Sequence, residues 1–479
     1  MTFTSFTFLI FLGIFFPVYW LAHADRRVQN SLVLVASYIF YAWWDWRFLG
    51  LILISSLVDY LMGLAISASR DPRHRRYFLA VSIVTNLGIL GFFKYFNFFV
   101  DNAVLLLTSV GLEASPRTLS VILPVGISFY TLQSMGYTID VYRRRVEACR
   151  DPVAFFAFVA FFPQLVAGPI ERANNLLAQF SIQRRFSFDL ANDGIRQIGW
   201  GFFKKIMIAD NLGRSVEPIF EAPANYSSGE LALASVFFGF QIYCDFSAYS
   251  DIAIGTGKLL GLRIRRNFNL PYFAVSLRDF WSRWHISLTT WLRDYLYIPL
   301  GGSRRSEVRT VINILAVFLI SGLWHGAQWT FVAWGAVHGI LVVAERLASR
   351  SPLGAAIRNA SPLQNAFLLT AGWITTFVAV MAAWVFFRAA SIGDAFFILG
   401  EVLSWSALIS IPAAILASPL AFASIIVLVA VEWLQRDKEH PLQFERIPVP
   451  VQMAGYIAMV FFVVSYGAVD ESPFIYFQF

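Results

Sequence analysis

The chain has 479 residues, of which 58% are apolar and 14% are charged, whereas soluble domains carry about 25% charged residues. This excludes an ordinary soluble globular protein, because a water-facing surface needs about 25–35% charged residues. The net charge of +7 comes from short basic clusters between apolar runs, as in the loops of membrane proteins. We therefore expect no nucleic-acid partner. Two cysteines are too few to predict a disulfide framework or a cysteine metal site.

Apolar runs of about 20 residues, the length that crosses a bilayer core of about 30 Å, recur along the chain. No repeat, linker or polar stretch separates them. The sequence therefore predicts an all-α polytopic integral membrane protein with one embedded domain over residues 1–479 and about eleven transmembrane helices. The predicted spans are 3–22, 30–46, 48–68, 77–99, 118–142, 230–261, 308–324, 329–346, 364–388, 408–434 and 452–469. Shorter apolar stretches, expected to enter the membrane or lie on it, are 102–112, 152–168, 195–212 and 393–404.

Basic loops follow the first, third and fifth predicted spans. They contain Arg26 and Arg27, the run 70–76, and the run 143–150. Because short cytoplasmic loops are enriched in Lys and Arg, we expect these loops inside and the N-terminus outside. Residues 267–303 have arginines at both ends and are placed at the cytoplasmic face. The first helix has no basic leader before it, so we expect it to be retained rather than cleaved.

Helix-breaking residues interrupt the apolar sequence at 161–172. This segment contains Pro163, Gly168 and Pro169 among apolar neighbours. Irregular backbone at membrane depth is tolerated only where protein buries it or where it lines a cavity. A re-entrant segment is therefore predicted.

Charged residues interrupt two further apolar runs. Lys204 and Lys205 are expected to extend toward the cytoplasmic headgroups, as long basic side chains do. Asp245 and Asp251 are separated by about 240° around a helix, so they do not share a face and do not form a carboxylate dyad. Each is expected instead to hold neighbouring helices together, with a functional role as the alternative.

Residues 277–296 form a strongly amphipathic segment. Its apolar side carries Trp281, Trp284 and Trp291, and its polar side carries arginine, as is typical of a helix that lies at the membrane interface. His285 lies near the border of the two sides, where it can point inward. Its basic surroundings, Arg283 and Arg293, suit a phosphate-bearing donor such as coenzyme A, because guanidinium groups match phosphate oxygens.

His325 differs from the other histidines because it lies near the middle of the apolar run 311–344, which is long enough for two helices meeting at Gly326. An ionisable group at that depth is costly and indicates a functional site, and a neutral imidazole can act as a general base. The alternative is a core histidine bonded to a neighbouring helix. His338, on the second helix, is expected to be structural. A metal site is not expected, because no ligand spacing supports one.

Several common catalytic signatures are absent from the sequence. It contains no GxxxxGK[ST] loop and no GxSxG elbow, which argues against nucleotide hydrolysis and against a serine hydrolase.

Six segments, in chain order, resemble the membrane-bound O-acyltransferase family, in particular its bacterial branch for alginate O-acetylation, peptidoglycan O-acetylation and teichoic-acid D-alanylation. They are residues 162–171, 241–251, 267–272, 279–287, 291–302 and 322–326, the last reading Gly-Leu-Trp-His-Gly. The ending 472–479 is similar to the alginate branch. The resemblance implies a tunnel enclosed by tilted helices. It also implies that His325 is catalytic and that His285 is the second signature residue.

The resemblance further implies acetyl transfer from a cytoplasmic donor, acetyl-CoA, across the bacterial inner membrane to an exported polysaccharide, with alginate as first choice. Membrane lipids surround the chain, a periplasmic SGNH-type transferase is the implied partner, and no tightly bound cofactor is implied. The competing hypotheses are a polysaccharide or lipid-precursor transporter, D-alanyl or peptidoglycan acyl transfer, and a structural subunit of a secretion complex. The absence of paired halves counts against a transporter.

Overall fold

A computed structural model describes residues 1–112, 119, 122–351, 362–444, 447–467 and 474–475. Within these ranges the regular structure is helical and no strand occurs, which confirms the all-α prediction. The α-helices are Phe6–Leu21, Arg26–Asp45, Leu49–Ala68, Pro72–Leu90, Phe96–Ser109, Ile127–Tyr142, Pro152–Ala160, Phe162–Leu165, Ala178–Phe180, Phe188–Phe202, Asp210–Glu221, Ser228–Leu259, Leu277–Arg283, Ile286–Leu292, Glu307–His325, Trp329–Arg350, Pro362–Arg388, Ile392–Val402, Trp405–Ala417, Pro419–Leu434 and Val449–Tyr466. Most of the chain ending 472–479 lies outside the described residues.

Seven helices of the described chain are long and apolar enough to cross a membrane, and there are eight if the bent pair Ile392–Val402 and Trp405–Ala417 is one span. The predicted count of eleven is therefore not confirmed. Part of the difference lies in two continuous helical runs of 43 and 38 residues, Arg26–Ala68 and Pro72–Ser109. By length each of these is enough for two crossings of about 20 residues.

The chain forms two compact units. Unit 1 comprises Met1–Ile198 with Ile252–Arg265, and unit 2 comprises Gly199–Asp251 with Arg266–Phe479.

In unit 1, buried polar side chains connect the helices Leu49–Ala68 and Pro72–Leu90. The Asp59 carboxylate accepts hydrogen bonds from Ser82 Oγ at 2.5 Å and Asn86 Nδ2 at 2.8 Å, and Ser55 Oγ donates to Asn86 Oδ1 at 2.7 Å. Apolar helices surrounded by lipid gain little from hydrophobic contact with one another, so hydrogen bonds of this kind help to specify which helices pair.

The segment 161–172 of unit 1 is irregular and entirely buried, as its prolines and glycine predict. Several of its polar groups form hydrogen bonds within the unit. Phe162 N donates to Ser37 Oγ at 3.1 Å, Gln164 Nε2 donates to Gln133 Oε1 at 2.9 Å, and Glu171 Oε1 accepts from the Arg265 amide at 2.5 Å. Protein burial therefore accounts for the irregular backbone, while entry of this segment into the membrane stays a prediction.

In unit 2, the two lysines predicted to reach the headgroups are instead buried ion-pair partners. Lys204 Nζ lies 2.6 Å from Asp251, and Lys205 Nζ lies 2.7 Å from both Asp210 and Asp245. The prediction was wrong because each ammonium group finds carboxylates inside the protein, which lowers the cost of burying it. The expectation that Asp245 and Asp251 act separately, each holding neighbouring segments, is confirmed.

The helices Glu307–His325 and Trp329–Arg350 meet at Gly326, as the length of the apolar run predicts. Glycines let their backbones approach closely. A Cβ atom at Gly322 would clash with the Phe331 carbonyl, and one at Gly335 would clash with the Phe318 carbonyl. Small residues at such contacts are typical of membrane helix pairs, and this packing holds the end of the first helix, where His325 lies.

Candidate active site

His325 is the last residue of the helix Glu307–His325 and is only 4% exposed. Aromatic rings surround its imidazole. The ring centroids of Trp324 and Trp334 lie 5.0 Å away, and that of Phe387 lies 5.5 Å away. Because these rings occupy the space around the imidazole, they limit the orientations that His325 can adopt.

His285 occupies a break between the helices Leu277–Arg283 and Ile286–Leu292. Its backbone is left-handed, with φ 41° and ψ 53°, which is uncommon for a residue with a side chain and is often found at functional sites. One continuous interfacial helix over 277–296 is therefore wrong. Trp284 and Trp291, 1% and 7% exposed, contact protein rather than lipid.

The break directs His285 into the protein interior. Asn267 fixes this part of the chain through both its backbone and its side chain. The Ile286 amide donates to the Asn267 carbonyl at 2.9 Å. Asn267 Oδ1 accepts from the Ser287 amide at 3.1 Å and from Ser287 Oγ at 2.9 Å, and it lies 3.3 Å from His285 Nδ1. Because Oδ1 can only accept, His285 Nδ1 carries the proton and the lone pair is on Nε2.

The imidazoles of His285 and His325, 40 positions apart in the sequence, come together in unit 2. Their ring centroids are 6.4 Å apart, and Trp324 lies 6.1 Å from His285. His285 is 1% exposed and lies outside the helices that qualify as membrane spans. Burial lowers the pKa of His285 to about 3, which keeps this imidazole neutral at physiological pH. Two imidazoles in a water-poor aromatic site can accept and return protons during group transfer.

The two arginines predicted to bind donor phosphates lie on the same segment but each bonds to an acid. Arg283 Nε donates to Asp279 Oδ1 at 2.7 Å, and Arg293 Nε donates to Asp294 Oδ1 at 2.8 Å. The side chain of Arg293 is 58% exposed and that of Arg283 is 30% exposed. Both remain partly accessible, and their donor-binding role stays a prediction.

The structure adds two residues that sequence reasoning did not assign to the site. Asn267 lies 18 residues before its partner His285, so no local spacing reveals it, although it opens one of the resembling segments. Trp334 contacts the ring of His325 and is fully buried. Among the described residues no group of three or more His, Cys, Asp and Glu side chains could hold a metal ion.

Comparison with known proteins identifies the family. Residues 143–388, just over half of the chain, match the model of the membrane-bound O-acyltransferase family. This chain belongs to that family. It is therefore an acyltransferase and a multi-pass membrane protein, and the matched region contains His285 and His325.

Individual relatives carry three different names. The "Probable alginate O-acetylase AlgI" of Azotobacter vinelandii is 42% identical over 408 residues, 85% of this chain and 78% of the relative. The "Peptidoglycan O-acetyltransferase" of Helicobacter pylori is 36% identical over 423 residues, 81% of this chain and 78% of the relative. The "Teichoic acid D-alanyltransferase" of Streptococcus thermophilus is 27% identical over 273 residues, covering 51% of this chain and 63% of the relative.

Replacing Asn267 with alanine is expected to lower the turnover of this acyltransferase by up to about a hundredfold. The reason is that a small displacement of a reacting group, here the imidazole of His285, can reduce the rate by that factor. The change removes the acceptor that fixes the His285 tautomer. A matched control is Asn313→Ala, since Asn313 is likewise buried and donates to the backbone carbonyls of Leu300 and Gly302. Steady-state rates at equal amounts of folded enzyme check this. Equal rate losses in both variants would remove Asn267 from the site.

Proposed function

We propose that this acyltransferase moves an acetyl group from cytoplasmic acetyl-CoA across the inner membrane for O-acetylation of an exported polysaccharide, alginate in the first place. A periplasmic SGNH-type transferase completes delivery. The 6.4 Å approach of the His285 and His325 rings in a buried aromatic site is the observation that carries the proposal. Both units act as one embedded domain over residues 1–479, with the N-terminus in the periplasm and the basic loops in the cytoplasm.

The choice of acetyl and alginate is supported by the relatives. The Azotobacter relative is named an alginate O-acetylase and aligns with 85% of this chain, whereas the D-alanyltransferase aligns with 51%. Peptidoglycan is the second candidate acceptor, since the Helicobacter relative aligns with 81% of the chain.

His325 starts the chemistry by one of two routes. As general base it takes the proton of the acceptor hydroxyl while the oxygen attacks the thioester carbonyl; the C–S bond breaks and the thiolate leaves with the proton. As nucleophile it attacks the carbonyl itself and releases the thiol, and the acceptor hydroxyl then breaks the acetyl–imidazole bond. His285, neutral and with the lone pair on Nε2, lies beside either route. Only the second route produces an acetylated enzyme that hydroxylamine can intercept.

The test uses membrane vesicles of known orientation that hold the full chain and, in a parallel set, the periplasmic partner and alginate. Labelled acetyl-CoA is supplied on the cytoplasmic or on the periplasmic side. Transfer of label only from the cytoplasmic side supports the proposal. If label is transferred only when the donor is a labelled D-alanyl carrier protein, the acetyl assignment is overturned. Transfer to peptidoglycan but not to alginate would change the acceptor.

Neutralising the two arginines proposed to bind the donor is expected to raise the KM for acetyl-CoA by about ten- to a hundredfold per lost phosphate contact, since a charge-assisted bond contributes about 1.5–3 kcal/mol, with turnover nearly unchanged. The variants are Arg283→Gln and Arg293→Gln. Arg436→Gln is the control, because Arg436 packs over Trp433 and lies outside this segment. If the KM is the same in all variants, the donor does not bind to these two arginines.

A further inference from the structure

His338, which no step above uses, is fully buried in unit 2 among aromatic rings. It lies on the helix Trp329–Arg350 and is 0% exposed. The ring centroids of Trp281 and Trp334 lie 4.9 Å and 5.0 Å from its imidazole, and Phe280 stacks at 6.2 Å. We call Trp281, Trp334 and His338 the indole–imidazole cluster.

The ring nitrogens of this cluster are buried without a protein partner among the described residues. This holds for Nε1 of Trp281, Nε1 of Trp334, and both Nδ1 and Nε2 of His338. An unsatisfied buried polar group costs about 1–3 kcal/mol, and such groups in folded proteins are usually satisfied by a ligand or by ordered water. A phenylalanine or leucine would fill the same space without that cost, so packing alone does not account for this histidine.

The chemistry of the cluster specifies what it can bind. An indole nitrogen only donates, whereas a neutral imidazole donates from one nitrogen and accepts at the other. The donors therefore outnumber the acceptors, and the three side chains cannot satisfy one another. A hydroxyl oxygen is complementary, since it accepts bonds from the indoles and donates its proton to the imidazole.

Trp334 connects this cluster to the catalytic centre. Its ring lies 5.0 Å from His338 and also 5.0 Å from His325, edge to face in both contacts. On another side it stacks with Trp384 at 5.6 Å. A change that lets the Trp334 indole turn would therefore also change the space that confines His325.

We propose that the indole–imidazole cluster binds the oxygen of a hydroxyl group, supplied by water in the resting enzyme, and that His338 is thereby a positioning residue for His325 through Trp334. This rests on the proposed role of His325. Water and the hydroxyl of the acyl acceptor share the same hydrogen-bonding chemistry, and the kinetic test below distinguishes them.

The experiment compares His338→Gln, which keeps a donor and an acceptor, with His338→Phe, which keeps the ring but removes both. Phe318→Leu is the packing control, because Phe318 contacts Trp281 and His338 but has no polar group. We expect His338→Phe to lower the kcat for acetyl transfer by about ten- to a hundredfold. His338→Gln and Phe318→Leu are expected to stay within about threefold of the wild type.

Thermal unfolding of the same variants gives a second readout. If the cluster binds an oxygen, His338→Phe lowers Tm, because the two indole N–H groups lose their acceptor. If the cluster is dry, removing the unsatisfied imidazole raises Tm and the proposal fails. Unchanged kcat in His338→Phe also overturns it. A kcat in His338→Gln as low as in His338→Phe would show that the imidazole itself transfers a proton, which contradicts a positioning role.

The kinetic constants separate the two sources of oxygen. Water in the cluster predicts a lower kcat with an unchanged KM for the acceptor, whereas a bound acceptor hydroxyl predicts a lower kcat together with a raised acceptor KM. Both results support a hydroxyl site. Because Tm is measured without substrate, the site can be tested even if the wild type transfers no acetyl group, an outcome that would refute only the proposed function.

Discussion

Replacing His325 with alanine is expected to lower acetyl transfer by about 10²–10⁴-fold, the usual contribution of a general base. The reason is that alanine has no group that can accept a proton, and the imidazole it removes is the one that Trp324, Trp334 and Phe387 hold in place. The KM for acetyl-CoA is expected to change little, because the residues proposed to bind the donor phosphates are Arg283 and Arg293. Initial rates in oriented vesicles, at equal amounts of folded protein, measure both constants.

Two further variants control this result. His285→Ala is expected to lose activity as well, since its ring lies 6.4 Å from His325. His74→Ala is expected to behave as the wild type, because His74 is an exposed histidine beside Asp71. Undiminished transfer in His325→Ala would remove this residue from catalysis, and equal losses in all three variants would indicate general damage to the protein.

Replacing Lys205 with methionine is expected to destabilise the protein by about 3–5 kcal/mol, the cost of breaking a buried ion pair by removing one partner. Lys205 is 1% exposed and lies 2.7 Å from both Asp210 and Asp245. Without it, two carboxylates face each other in a buried position. Asp245 also accepts a hydrogen bond from the Ile475 amide at 2.6 Å, so its displacement affects the C-terminal segment as well. The loss of unfolding free energy is measured by denaturation, with the reaction of the buried Cys244 thiol as the readout of unfolding.

Two further measurements make this prediction specific: the pH dependence of the stability loss, and its rescue when the two acids are neutralised. Burial raises the pKa of Asp210 to about 6, so below that pH its carboxyl is uncharged and the loss should be smaller at pH 5 than at pH 7.5. Restoring neutrality in Lys205→Met with Asp210→Asn and Asp245→Asn should recover part of the stability. Lys258→Met is the comparison: its partner Asp193 is 25% exposed and can be hydrated, so its loss should be smaller. A pH-independent loss equal in both lysine variants would contradict the buried-charge explanation.

The candidate site was predictable from the sequence to the extent that single residues are unusual in their surroundings. His325 is notable because an ionisable group interrupts an apolar run, and the cost of burying it indicates a function. His285 is notable because it lies between an apolar and a basic side of one segment. Asn267 and Trp334 are not notable in this way. An asparagine near arginines and a tryptophan in an apolar helix are ordinary residues until a distant partner is known.

The errors also have particular physical causes. Lys204 and Lys205 satisfy the pattern for headgroup contact, but their buried carboxylate partners come from other segments of the chain. The helix predicted over 277–296 has the right periodicity on both sides of Trp284 and His285, yet the left-handed backbone at His285 breaks it. Periodicity indicates which side chains share a face of a helix. It does not indicate where hydrogen bonds, here to Asn267 and Ser287, stabilise a break in the helix.

By itself the sequence determined that this protein lies in a membrane, its helical class and its family, and it indicated two candidate histidines, because composition, apolar length and short motifs are local properties of a chain. The tertiary structure alone decided that those histidines meet, which tautomer His285 adopts, and that two lysines are buried rather than exposed. These depend on contacts between segments 18 to 40 residues apart or more. Such contacts are chosen by the packing of helices and the pairing of buried charges, which no single stretch of sequence contains.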